Sequence, residues 1–112
     1  MVTGRIEFVP DRPHFDAADV HVWVEDTTYA DAHAARIFHH RMSHVSYHGE
    51  TEGIPFALDY NRPRPPGRTL SLSVLVDLDG DGLPGQGDYV SFQAVTIPEA
   101  GTVACVRVQR IA

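Results

Sequence analysis

Ala18-Asp19-Val20-His21-Val22-Trp23-Val24-Glu25 alternates residue by residue, with Val20, Val22 and Val24 on one side and His21, Trp23 and Glu25 on the other. A period of two is the mark of a strand with one face buried. Residues 68–76 repeat it, setting Leu70, Leu72, Val74 and Val76 against Thr69, Ser71, Ser73 and Leu75. Residues 89–97 and 102–111 are similar and rich in valine, threonine and aromatic residues, which suit a pleated surface. Further strands are expected at 3–9, 36–45 and, shorter, 54–60. Turn signals separate them: Pro10 to Pro13, Tyr47 to Gly53, Asn61 to Gly67, Gly80 to Gly87 and Pro98 to Gly101. About seven short strands at this spacing predict an all-β fold, an antiparallel β-sandwich. The alanines at 32, 34 and 35 favour one helical turn over 31–38, too short to change the class.

A chain of 112 residues makes one domain, spanning 1–112. It can bury about two-thirds of its unfolded surface, enough for a core without staples. Cys105 is the single cysteine, so no disulfide forms within the chain. No apolar run approaches the length of a transmembrane helix. Residues 1–8 carry Arg5 and Glu7 and lack the apolar stretch of a signal peptide.

All nine basic residues are arginine. The absence of lysine removes the P-loop lysine, the Schiff-base lysine and the lysine general base. A formal net charge of −6 with scattered arginines argues against nucleic-acid binding.

The chemistry concentrates in one loop, Asp77-Leu78-Asp79-Gly80-Asp81-Gly82-Leu83-Pro84-Gly85-Gln86-Gly87-Asp88. Carboxylates fall at loop positions 1, 3, 5 and 12, and Gly82 at the tight-turn position 6, the spacing of an EF-hand calcium loop. Calcium takes six to eight oxygens, so a loop around it presents side-chain oxygens at alternate residues and then turns sharply. Asp77, Asp79, Asp81 and Asp88 are the expected side-chain ligands, with the Leu83 carbonyl and a water near Gly85 completing the set. Two carboxylates ~4 Å apart repel by about 4 kcal/mol at an effective dielectric of 20, which a bound cation turns into binding energy. The flanking segments are strands, so the loop is expected to be a lone β-hairpin connection. The alternative is an acidic, glycine-rich turn that binds nothing. Gly80, Gly82 and Gly85 also spell a dinucleotide fingerprint, but no helix follows, and the surrounding aspartates would repel pyrophosphate.

Five of the seven histidines lie between His33 and His48. On a strand, His40, His44 and His48 are spaced about 13 Å apart, too far to share an ion. A transition-metal site therefore needs a partner from a neighbouring strand, such as His21. Glu25, Asp26 and Asp31 could supply a carboxylate pair to a small hydrolase. An Asp-Thr-Thr turn explains Glu25-Asp26-Thr27-Thr28 more simply. Pro63-Arg-Pro65-Pro66 reads as a stiff connection. Cys105, in an alternating strand, reads as a small buried hydrophobe rather than a nucleophile.

Val24-Glu25-Asp26-Thr27-Thr28-Tyr29-Ala30-Asp31-Ala32 resembles the "L-E-D-x-S-x-A-D-A" stretch of YbaY-like proteins, a family that includes the YscW-type lipoproteins linked to type III secretion. Ile54-Pro55-Phe56-Ala57-Leu58-Asp59-Tyr60 resembles its "I-P-F-x-L-x-Y" segment. Residues 76–82 and 87–89 match the "V-D-x-D-G-D-G…G-D-Y" stretch of some members. The likeness covers about residues 3–97 and implies a small β-sandwich. For the secretion members it implies a pilot or chaperone role towards an outer-membrane partner. It also implies the cell envelope or the exterior as location, whereas the absence of an export signal and lipid-carrying cysteine points to the cytoplasm.

The expectation is thus a non-enzymatic, calcium-binding β-sandwich that binds another protein, with an open edge strand through which two copies could pair. The alternatives are a hydrolase built on the histidines with Glu25, Asp26 and Asp31, and a histidine-rich transition-metal binder.

Overall fold

In the computed structural model, which describes residues 1–10, 12–28, 35–60, 66–93, 95–97 and 102–112, regular structure is entirely β. The strands are β1 (Val2–Val9), β2 (Phe15–Asp26), β3 (Ala35–Tyr47), β4 (Ile54–Leu58), β5 (Leu70–Asp77), β6 (Tyr89–Ser91), β7 (Val95–Thr96) and β8 (Val103–Arg110). The alternating segments become strands because alternation lets each bury one face. Val2, Ile6 and Phe8, then Val20, Val22 and Val24, then Leu70, Leu72, Val74 and Val76, then Val106 and Val108 all join one core.

Two expectations change. The segment expected to form one strand over 89–97 breaks into β6 and β7, with Phe92 and Gln93 between them outside any strand. The helical turn expected over 31–38 is β3 from Ala35 onward, where pairing with β2 overrides the weak propensity of the alanines. Residues 31–34 lie outside the described residues, as do Asp31 of the proposed acid/base pair, His33 and most of the Pro63–Pro66 connection.

The sheet also differs from a two-layer sandwich. Hydrogen bonds link the strands into one sheet in the order β3-β2-β5-β6-β8-β1-β4, with β7 beside β5. Most pairings are antiparallel, but β1 and β8 run parallel, from Thr3 opposite Val103 to Val9 opposite Gln109. The sheet curls until its two ends face each other across the core. Phe38 of β3 meets Tyr60, just past β4, edge to face at 5.4 Å, and Phe8 of β1 stacks on Tyr47 of β3 at 5.1 Å. This gives a nearly closed barrel-like sheet, in which aromatic contacts span the gap that hydrogen bonds do not. Periodicity reports which face is buried and carries no information on whether one sheet bends round or two stack.

β5 sits mid-sheet and is buried on both faces, with Leu75 and Asp77 as enclosed as Val74 and Val76. Outside it, Leu83 and Pro84 of the β5–β6 connection line a cleft of 120 Å³ with Trp23, Arg36, Leu75 and Val90. The acidic loop therefore folds back over the outer face of β2 and β5.

Candidate functional site

The β5–β6 connection is a hairpin loop, as its flanks predict, closed by the pairs Val76–Tyr89 and Leu75–Val90. Gly80, Gly82 and Gly87 adopt φ of 75°, 77° and 92°, the left-handed region where a side chain is strained. Gly82, at loop position 6, thus turns the chain in a conformation that favours glycine.

The four aspartates converge. One carboxylate oxygen each from Asp77, Asp79, Asp81 and Asp88 lies within 4.8 Å of the others. Asp77 and Asp88 are 0% and 1% exposed, whereas Asp79 and Asp81 face solvent. Backbone amides hold them in place. Gly80 and Gly82 donate to Asp77 at 3.0 and 2.7 Å, Leu83 donates to Asp81 at 2.9 Å, and Leu78 and Gly85 donate to Asp88 at 2.9 and 3.1 Å. The loop ends are tied as well, since Gly87 donates to Ile111 and Ile111 to Asp88 through the backbone. Leu83, 66% exposed, has no side-chain donor atom and can contribute to an ion only through its backbone carbonyl.

Crowding sets the ionisation. The hydrogen bond with Asp77, followed by desolvation, raises the Asp79 carboxyl to about 6. Burial works to raise Asp77 too, but hydrogen bonds from Asp79, Gly82 and Gly80 outweigh it and hold that carboxyl below its ordinary value. As the pH falls towards 6 the pair therefore takes up its first proton on Asp79, while Asp77 stays the anion. Such uptake is how neighbouring carboxylates relieve repulsion when no cation does so. Chemically, the loop is an all-oxygen, anionic pocket suited to a hard divalent cation.

Of the carboxylates named for a hydrolase, the two among the described residues, Glu25 and Asp26, are not brought together. Glu25 pairs with Arg36 at 3.2 Å, while Asp26 accepts from the Thr28 backbone at 3.0 Å and pairs with Arg68 at 3.3 Å. Adjacent residues on a strand face opposite sides, so these carboxylates do not converge. The Thr28 side-chain and backbone hydrogen bonds hold the Asp26 carboxyl below its usual range. Three open clefts, of 230, 470 and 120 Å³, have no histidine in their walls.

Cys105 is exposed rather than buried, because β8 turns its odd positions outward. Desolvation and a hydrogen bond to Glu7 raise its thiol, which leaves it a poor nucleophile.

Among the described residues, His21 lies in β2, His39, His40 and His44 in β3, and His14 and His48 outside any strand. His48 pairs with Asp16 at 2.8 Å. His21 Nδ1 and His39 Nε2 are 2.8 Å apart, and both rings stack with Trp23, whose ring Arg36 covers at 3.8 Å. His21 is the neighbouring-strand partner the sequence offers for a histidine of β3, whereas Asp19 is a residue that sequence spacing does not single out. Its signal is the outward face of β2, and the strand register needed to interpret it is a property of the fold alone.

No model of a known family matches the chain, and no curated protein matches it. Among solved structures, the fold is similar to an alternative pilotin from the type II secretion system of Vibrio cholerae. That likeness covers 99% of this chain and 96% of the other, with a TM-score of 0.74 and 22% sequence identity, and what it establishes is a shared fold over nearly the whole length.

Proposed function

We propose that this chain is a non-enzymatic protein-binding module of the cell envelope, of the pilot or chaperone kind, stapled by calcium at its β5–β6 loop. The observation that carries the first part is the full-length likeness to a pilotin. The resemblance of residues 24–32 and 54–60 to YbaY-like segments, although no family model matches the chain, points to the same class of work. The edge of β3, thirteen residues long and at one end of the sheet, is where a partner strand or a second copy would add by backbone pairing. Glu25 and Asp26, each engaged by an arginine, do not form the carboxylate pair proposed for a hydrolase.

The calcium reading rests on the donor set. Four carboxylates within 4.8 Å, each oriented by loop amides, with Gly82 turning the chain, match what a six- to eight-oxygen cation needs. Asp88, shorter than the glutamate usual at this position, would offer a single oxygen and so a weaker site. The role we assign to the ion is structural, since one loop flanked by strands has no helix pair to open.

The experiment is site-specific photo-crosslinking from β3 in cells of the source organism. A single dominant envelope protein, joined from β3 positions and not from β8, is the expected outcome. Crosslinks spread evenly over many proteins, or equally strong from both strands, would overturn the reading.

A further inference from the structure

Asp19 and His21 lie two residues apart on the outward face of β2, and the register sets Asp77 of β5 directly opposite Asp19. A nitrogen of His21 and one oxygen each of Asp19 and Asp77 fall within 4.8 Å of one another. His21 is 8% exposed and Asp77 fully buried. The Nε2 of His21 is enclosed and has no hydrogen-bond partner. Buried polar atoms are almost always partnered, so this one calls for a ligand.

The direction of that nitrogen follows from the strand order. β2 lies between β3 and β5. Nδ1 engages His39 on β3, so Nε2, which diverges from it across the ring, is directed away from β3 towards the side where Asp77 sits. With Nδ1 donating its proton to His39 Nε2, the second nitrogen carries a bare lone pair, which is the metal-binding tautomer. Stacking with Trp23 fixes both ring planes.

We propose that His21 Nε2, Asp19 and Asp77 bind a divalent transition-metal ion of the zinc class, oriented through His39. One imidazole and two carboxylates are a zinc-type donor set, unlike the all-oxygen loop beside it. Arg41 engages Asp19 through Oδ2 at 2.8 Å, and Oδ1 has no such ion pair to compete with an ion. Each Asp77 oxygen takes one amide hydrogen bond, and the oxygen that does not bond to Asp79 keeps a lone pair for the ion. Three protein ligands leave a fourth position for water. The ion would tie the middle of β2 to the end of β5. The inference is independent of the calcium reading, although the two sites share Asp77.

The test is zinc titration by calorimetry in calcium-free buffer. One equivalent should bind, at least tenfold more weakly in His21→Gln and about 10- to 100-fold more weakly in His39→Gln. Asp81→Asn, which removes a calcium ligand and no zinc ligand, should stay within twofold of the parent. So should the triple variant His40→Gln/His44→Gln/His48→Gln. Unchanged affinity in His21→Gln, or loss in the triple variant, would put the zinc on exposed histidines and overturn the proposal. If His21→Gln does not fold, X-ray absorption of the zinc-loaded parent decides. A shell of one imidazole with oxygens supports the site, and a shell of several imidazoles contradicts it.

Discussion

Asp77, the last residue of β5, accepts the backbone N–H of Gly82 at 2.7 Å, across a turn in which Gly82 holds φ of 77°. This contact converts a run of alternating aspartates into a cup, because it points the following carboxylates back at the first. The turn and the proposed ion site are therefore one feature.

Gly82→Ala tests that identity. A Cβ at Gly82 meets nothing within 4 Å, so its cost is conformational alone. A left-handed alanine costs about 1–2 kcal/mol, or about 4–8 °C of melting temperature in a domain of this size. Gly67, also left-handed with open space around it, lies outside the loop and serves as control. Both alanine variants should lose similar stability without metal, and only Gly82→Ala should lose calcium affinity. Thermal melts in chelator and in calcium separate the two effects.

Gly53→Ala should be worse, for a different reason. Its Cβ would fall 2.1 Å from the Ile6 carbonyl oxygen, backbone that cannot yield without disturbing β1 and β4. Overpacking of this kind costs about 1–3 kcal/mol. Urea unfolding should show a lower midpoint with an unchanged slope.

Proton uptake by Asp79 makes calcium affinity depend on pH. With its carboxyl raised to about 6, Asp79 must give up a proton to ligate, so affinity should fall as the pH drops from 7 to 5. In metal-free protein the sign is opposite. The folded state then holds a proton that the unfolded state has released above its ordinary value of 3.8, so Asp79's contribution to stability declines as pH rises from about 4 through about 6. Carboxyl NMR titration should find Asp79 returning towards its ordinary value in Asp77→Asn.

Asp26 behaves in the contrary way. Hydrogen bonds from Thr28 hold its carboxyl low, so its stabilising contribution is complete above 3.8 and is lost as pH falls through the depressed value. Thr28→Val should therefore destabilise the protein at neutral pH, and the deficit should shrink in acid. Chemical denaturation of parent and variant at pH 7 and pH 3 measures it.

Much of this was legible in the residues. The alternation at Val20, Val22 and Val24 marks both the strand and its buried face, and the aspartate spacing marks the loop and its turn. β3 was legible too, expected over 36–45 and found over Ala35–Tyr47, although the positive-φ bulge at His44 interrupts its period. Closure of the sheet depends on Phe38 meeting Tyr60, a pairing between distant segments that no local period encodes. The same holds for Asp19 opposite Asp77, since register across strands far apart in sequence is settled by the whole core.

The most direct test of the calcium-stapled module is calcium titration of metal-stripped protein, followed by calorimetry and by melting temperature, with magnesium as control. The account predicts one equivalent of calcium, weak or absent magnesium binding, and a gain of about 2.7 kcal/mol at a hundredfold excess over Kd, all abolished in Asp77→Ala/Asp81→Ala. No heat and no rise in melting temperature at millimolar calcium would contradict it, and would leave residues 77–88 an acidic turn on a pilotin-like fold.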